Sequence, residues 1–163
     1  MIILLKNKHS LYFDDFKFKC SIGKKGRIKN KKEGDLKTPK GEFKIENLYF
    51  RKDRIKKPNT KLKCIEITKN MGWCDDIGSK KYNKLVSTNT KCSIEKLFRK
   101  DEKYDLLVPI KYNFKKPVPN KGSCIFLHLT KDYKPTKGCI ALIKKDFLIL
   151  LKLIKKNTKI VIN

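Results

Sequence analysis

GSCIFLHLTKDYKPTKGCIAL, residues 122–142, carries an apolar run, a histidine near its end, and a cysteine beyond a short loop. The run SCIFLHLT (123–130) predicts a buried strand, because apolar residues are continuous and turn formers bound it. Pro135 and Gly138 then mark a loop, and a chain doubling back there brings Cys139 toward His128. A thiol of ordinary pKa near ~8.5 is mostly protonated at neutral pH, and a neighbouring imidazole can take its proton. Gly138 permits a tight turn and a close substrate approach, with N–H groups around Gly138 and Cys139 free to bind an oxyanion. On these residues alone two readings stand: a catalytic thiol and imidazole, or a structural cysteine beside a core histidine.

Outward from this stretch the chain reads mainly as strands. FKFKCSI (16–22) alternates Phe16, Phe18, Cys20 and Ile22 against polar residues, the period of a half-buried strand. EFKIENLYF (42–50), KLKCIEIT (61–68), YDLLVPIKYN (104–113) and KIVI (159–162) are further extended segments, with Pro109 arguing for an edge or a bulge. Helical signals are fewer. In STNTKCSIEKLFRK (87–100), Ser93 predicts a cap before Ile94, Leu97 and Phe98, and KKDFLILLKLIKK (144–156) predicts a buried helix with Asp146 near its start. The 163 residues are long enough for one domain with its own core, 1–163, mainly β with one or two packed helices.

Charge is the strongest compositional signal, with 42 Lys+Arg against 16 Asp+Glu, formally +26. Such a balance suggests nucleic acid or an anionic surface, yet only Arg27, Arg51, Arg54 and Arg99 are arginines and the lysines are spread throughout. Arginine is the side chain that base-edge and bidentate phosphate recognition favours. The expectation is a solvated lysine surface with no specific nucleic-acid partner, a basic binding module being the competing reading. MIILL is shorter than a signal-peptide core and FLILLKLI is interrupted by Lys152, so no membrane span and a cytoplasmic location are expected. Six cysteines without a CxxC pair, beside only His9 and His128, predict reduced thiols and no metal site. Cys74 is the one rival nucleophile, and Asp75 and Asp76 beside it are expected to raise its pKa. Two readings of those aspartates stay open: facing an ammonium group with Trp73 as a wall, or satisfying backbone N–H groups of their own loop. Tyr82 is expected as core or rim more than as ligand.

GSCIFLHLTKDYKPTKGCIAL resembles the catalytic core of the YkuD-type L,D-transpeptidases, in which a histidine is followed by a loop and a Ser/Thr-His-Gly-Cys element. GDLKTPKGEF (34–43) is similar to that family's threonine-proline-glycine turn, and MGWCDD (71–76), the YN pairs at 82–83 and 112–113, and EKLFRKDEKYD (95–105) are similar to blocks of a compact branch. The resemblance implies a YkuD-like β-sandwich or barrel-type catalytic domain acting on peptidoglycan stem peptides or muropeptides, without cofactor; a monomer is expected. It implies Cys139 as nucleophile, His128 as its base, Gly138 as its turn and Thr136 as the family's Ser/Thr, orienting His128. Attack on the carbonyl between the third residue's L-centre and the terminal D-Ala gives a thioester. An amine then gives a 3,3 cross-link, and water gives carboxypeptidase activity on recycled tetrapeptide stems. Lys137 stands where the family has a second histidine and Ala141 where many members carry arginine. Substrate contacts are expected from Lys137, Trp73, Asp75, Asp76 and Tyr82.

Overall fold

Apolar alternation near the two chain ends builds the first sheet. The computed structural model describes residues 1–163. Strand β1 (Ile2–Leu5) pairs in parallel with β15 (Lys159–Ile162), placing Ile3 opposite Ile160 and Leu5 opposite Ile162. Strands β2 (Ser10–Phe13) and β3 (Phe16–Lys19) extend it on one side and β6 (Gly41–Lys44) on the other, giving the order β3-β2-β1-β15-β6. The FKFKCSI strand stops at Lys19, with Phe18, Cys20 and Ile22 buried and Phe16 exposed, stacked on Phe18.

The second five-stranded sheet carries the 122–142 stretch. Its order is β14 (Ile140–Leu142), β13 (Phe126–Leu129), β12 (Leu106–Pro109), β7 (Leu48–Phe50), β8 (Cys64–Glu66). It is buried on both faces, which is why LLVP and FLHL read as continuous apolar runs rather than alternating ones. The period of two sorts their side chains. Leu106, Val108, Leu127, Leu129, Ile140 and Leu142 face a large core shared with the first sheet and helix α1 (Lys144–Leu153). Leu107, Phe126 and Cys139 belong to a smaller cluster on the opposite face, with Tyr49, Trp73 and Tyr104.

A three-stranded sheet with β9 (Met71–Cys74) between β10 (Leu85–Ser87) and β11 (Ile94–Lys96) lies in this smaller layer, and β4 (Arg27–Ile28) and β5 (Thr38–Pro39) form a short parallel ladder. The helix expected after Ser93 is instead strand β11, with Ile94 opposite Cys74. Its reason is tertiary: a side chain at Gly72 would lie 2.7 Å from Ile94 Cδ1, so the glycine opens a seat that only an extended Ile94 fills. The architecture is therefore mainly β with one helix. That helix ends at Leu153, short of the expected Lys156, because Ile154 turns extended and its N–H closes on the Leu150 carbonyl. Pro109 is not on an edge strand but does sit at a bulge, because the pairing register shifts by one residue between Leu107 opposite Tyr49 and Ile110 opposite Ile45. It ends the central strand β12 where the ladder to β7 has stopped at Leu106 and Leu107, and its carbonyl accepts the Glu46 N–H at 2.9 Å, so the missing proline N–H leaves no bond unmade.

Candidate active site

Strand register brings the two reactive side chains to one place. In the parallel β13–β14 ladder His128 lies opposite Ala141 and Leu127 opposite Ile140. Cys139 therefore arrives beside Phe126, on the face that His128 also occupies. The Phe126 N–H donates to Cys139 Sγ at 3.4 Å, and Sγ donates to the Cys124 carbonyl at 3.1 Å. His128 Nδ1 lies 2.8 Å from the Leu129 carbonyl. A carbonyl only accepts, so Nδ1 carries the proton and Nε2 keeps the lone pair a base needs. The ring meets the edge of Tyr104 at 5.5 Å between centroids. Cys139 and His128 both line a cavity of about 750 Å³.

Burial pushes the Cys139 thiol up to about 12 and the His128 imidazolium down to about 4. Both shifts favour the uncharged form, so the resting pair is a neutral thiol beside a neutral imidazole. Each pKa unit between them opposes proton transfer from sulfur to nitrogen by about 1.36 kcal/mol, so the neutral pair is the resting state.

The same burial makes a stability prediction. The unfolded histidine binds its proton near 6.5 and the folded one near 4. Between those values the unfolded state holds more protons, so stability rises with pH and is lost as pH falls from 6.5 to 4. The loss approaches about 3 kcal/mol, from 1.36 kcal/mol per unit. Urea unfolding at stepped pH should show this fall in the wild type and not in His128→Gln; parallel curves in that window would contradict it.

The surrounding residues divide sharply. Thr136 Oγ1 donates to the Cys139 carbonyl at 2.6 Å and accepts the Gly138 N–H at 3.1 Å. Thr136 thus braces the cysteine loop and does not orient His128. The Gly138 N–H is spent on it, which leaves the Cys139 N–H as the backbone donor without a loop partner. Gly138 itself adopts φ +147. Lys137 is exposed at the cavity rim and Ala141, almost wholly buried, lines the cavity beside His128.

Asp75 also lines the cavity, and its Oδ1 is buried without a hydrogen-bond partner. Asp76 instead accepts the Gly78 N–H at 2.9 Å, satisfying its own turn. Trp73 is not a wall. It is buried behind the site against Phe126, at 5.3 Å between centroids, with its indole N–H donating to Asn83 Oδ1 at 2.9 Å. Tyr82 is likewise buried, its hydroxyl donating to Glu33 and accepting the Gly122 N–H. Cys74 lies outside the cavity; its thiol is raised chiefly by burial and next by Cys92, rather than by the adjacent aspartates.

Several cavity residues were not singled out from sequence. Tyr104 donates its hydroxyl to Glu95 Oε1 at 3.1 Å, the same oxygen accepts Arg99 at 2.8 Å, and Arg99 grips Asp101 through two further bonds. Glu95, Arg99 and Tyr104 fall inside the EKLFRKDEKYD block, and the four-residue spacing of Glu95 and Arg99 was the available signal. Lys31 and Glu33, just ahead of GDLKTPKGEF, also reach the cavity.

Among solved structures, the fold resembles the helical cell shape determining protein Pgp2 of Campylobacter jejuni, with a TM-score of 0.52 at 17% identity. The match covers 99% of this chain and 46% of that one, so the chain spans about half the length of that relative. A single-substitution mutant of the same protein gives the same values. No curated protein matches the sequence at a significant level. The sequence matches the L,D-transpeptidase catalytic domain, YkuD, over residues 2–162. With that match spanning nearly its whole length, and with Cys139 and His128 lining one cavity, the chain belongs to the YkuD family of L,D-transpeptidase catalytic domains.

Proposed function

We propose that the chain is a cysteine acyl-transfer enzyme acting on peptidoglycan stem peptides, an L,D-transpeptidase that forms 3,3 cross-links. The observation that carries this is that His128, on β13, and Cys139, immediately before the parallel neighbour β14, line one cavity of about 750 Å³. In this mechanism His128 Nε2 takes the thiol proton as Sγ attacks the carbonyl joining the third residue to the terminal D-Ala. The Cys139 N–H faces the developing oxyanion. The tetrahedral intermediate collapses, the imidazolium returns its proton to the departing D-Ala amine, and a thioester remains on Cys139. An acceptor amine from a second stem loses its proton to His128, attacks the thioester and releases the thiol. Asp75 and Glu95 on the cavity wall supply carboxylates suited to an ammonium group such as the diamino acid side chain.

Purified tetrapeptide stem, incubated with the protein with and without an amine acceptor and followed by mass analysis, tests this reading. The expected result is D-Ala release with a cross-linked product when acceptor is present. Release that yields only the tripeptide under both conditions replaces transfer by hydrolysis, a carboxypeptidase. No release, together with binding to anionic polymers that weakens steeply with salt, overturns the enzyme reading in favour of a basic binding module.

A further inference from the structure

Of all the lysines only Lys31 is buried, at 3% exposure. Taking an ammonium out of water costs several kcal/mol, and a buried ion pair is weak evidence for stability. The fold nevertheless makes room for this one. Gly122, at φ +97, would place a Cβ 2.8 Å from Lys31 Cε and 3.0 Å from Cδ, so the glycine forms the channel through which the stem passes. At its end Nζ donates to Asp35 Oδ1 at 2.5 Å and to the Lys32 carbonyl at 3.3 Å. Nζ lies 3.5 Å from where a Gly138 Cβ would stand, immediately before the nucleophile, and Lys31 lines the same cavity as Cys139. An ammonium has three donors, and two are spoken for.

We propose that Lys31 is an electrostatic positioning residue of the acyl-transfer site, its buried ammonium beside Gly138 favouring the Cys139 thiolate; this rests on Cys139 being the nucleophile. Burial is the main force against ionisation of the thiol, and the Phe126 N–H bonded to Sγ partly offsets it. Glu95 on β11 raises the thiol pKa, while Tyr104, Cys124 and His128 are uncharged in the resting site. Lys31 is the side chain whose charge lowers it.

Asp35 gives the proposal an opposite-sign control. Its carboxylate partly cancels the Lys31 field while also accepting the Lys32 and Lys37 N–H groups, both at 2.9 Å. The experiment is alkylation by iodoacetamide across pH, with the Cys139 peptide quantified by mass spectrometry, so no stem peptide is needed. Lys31→Met should shift the alkylation profile upward by about one pH unit or more, roughly tenfold slower labelling at a fixed pH below the inflection. Asp35→Asn should shift it downward, and Lys31→Arg should restore it. An unchanged profile in Lys31→Met, or slower labelling in Asp35→Asn, overturns the proposal, the latter outcome indicating a purely structural ion pair. Should Lys31→Met fail to fold, the Asp35→Asn shift decides by its sign. Failure to turn over tetrapeptide alongside the expected shifts would remove the substrate assignment and leave the charge coupling standing.

Discussion

Cys139→Ala is expected to lower D-Ala release from a tetrapeptide stem by about 10⁴-fold or more, the scale on which removal of a covalent nucleophile acts. The protein should still fold. What the substitution removes structurally is one sulfur with one hydrogen bond accepted from Phe126 and one donated to Cys124. Cys124 lines the cavity, where water can reach its carbonyl, but Phe126 is buried away from it and its N–H loses its acceptor, so about 1–3 kcal/mol is lost, with Tm falling by about 2–4 °C per kcal/mol. Cys139→Ser keeps both a donor and an acceptor in the loop and should recover that stability without recovering activity, because the hydroxyl is far harder to ionise. Cys74→Ala provides the contrast. Its thiol lies outside the cavity with its pKa raised by burial, so release should stay within about twofold of wild type. Steady-state release assays on the three variants, paired with thermal melts, separate these effects. Persistent release in Cys139→Ala at a wild-type rate would remove the nucleophile assignment outright.

How far the sequence reached this site depended on how local the determinants were. The strand carrying His128 was legible because both of its faces are buried, so FLHL is an apolar run with one polar interruption. That interruption marks the face that lines the cavity. Cys139 was legible because proline and glycine fix the loop before it. What escaped was everything that depends on distant segments meeting. Ser93 followed by Ile94, Leu97 and Phe98 matches a helix start, yet the unpaired edge of Met71–Cys74 captures the segment as a strand. Trp73 beside two aspartates resembles a binding wall in one dimension. In three dimensions Trp73 is buried in the aromatic cluster with Phe126 and Tyr49, while Asp75, just past the end of the strand, reaches the cavity. Lys31 was one lysine among many until burial distinguished it, and burial is not a property of the local sequence. The Thr136 hydroxyl shows the same limit: expected to orient the imidazole, it bonds instead to the cysteine loop.

Gly138→Ala is expected to cost both stability and activity, through the backbone that aims the nucleophile. At φ +147 an alanine is strained by about 1–3 kcal/mol wherever it sits. Here its Cβ would also stand 2.9 Å from the Lys37 carbonyl oxygen and 3.3 Å from Ile125 Cδ1. The carbonyl cannot withdraw cheaply. The Lys37 N–H is held by Asp35 at 2.9 Å, and the next residue, Thr38, is held by Gly26 at 2.8 Å. Relief must therefore come from the cysteine loop, whose displacement breaks the Thr136 bonds to Gly138 and Cys139 and moves Sγ relative to the imidazole. A shift near 1 Å at a reacting atom costs about 10²-fold in rate, and that loss should appear chiefly in kcat. Gly26→Ala isolates the strain from the clash. Gly26 has φ +83, and a Cβ there meets only Lys8 Cε at 3.9 Å, remote from the cavity. It should lose about 1–2 kcal/mol of stability with kcat unchanged. Urea unfolding and kcat measured on both variants give the test. Equal effects on kcat would show that Gly138 serves the turn alone, and wild-type stability and turnover in Gly138→Ala would show that the loop relaxes without moving Cys139.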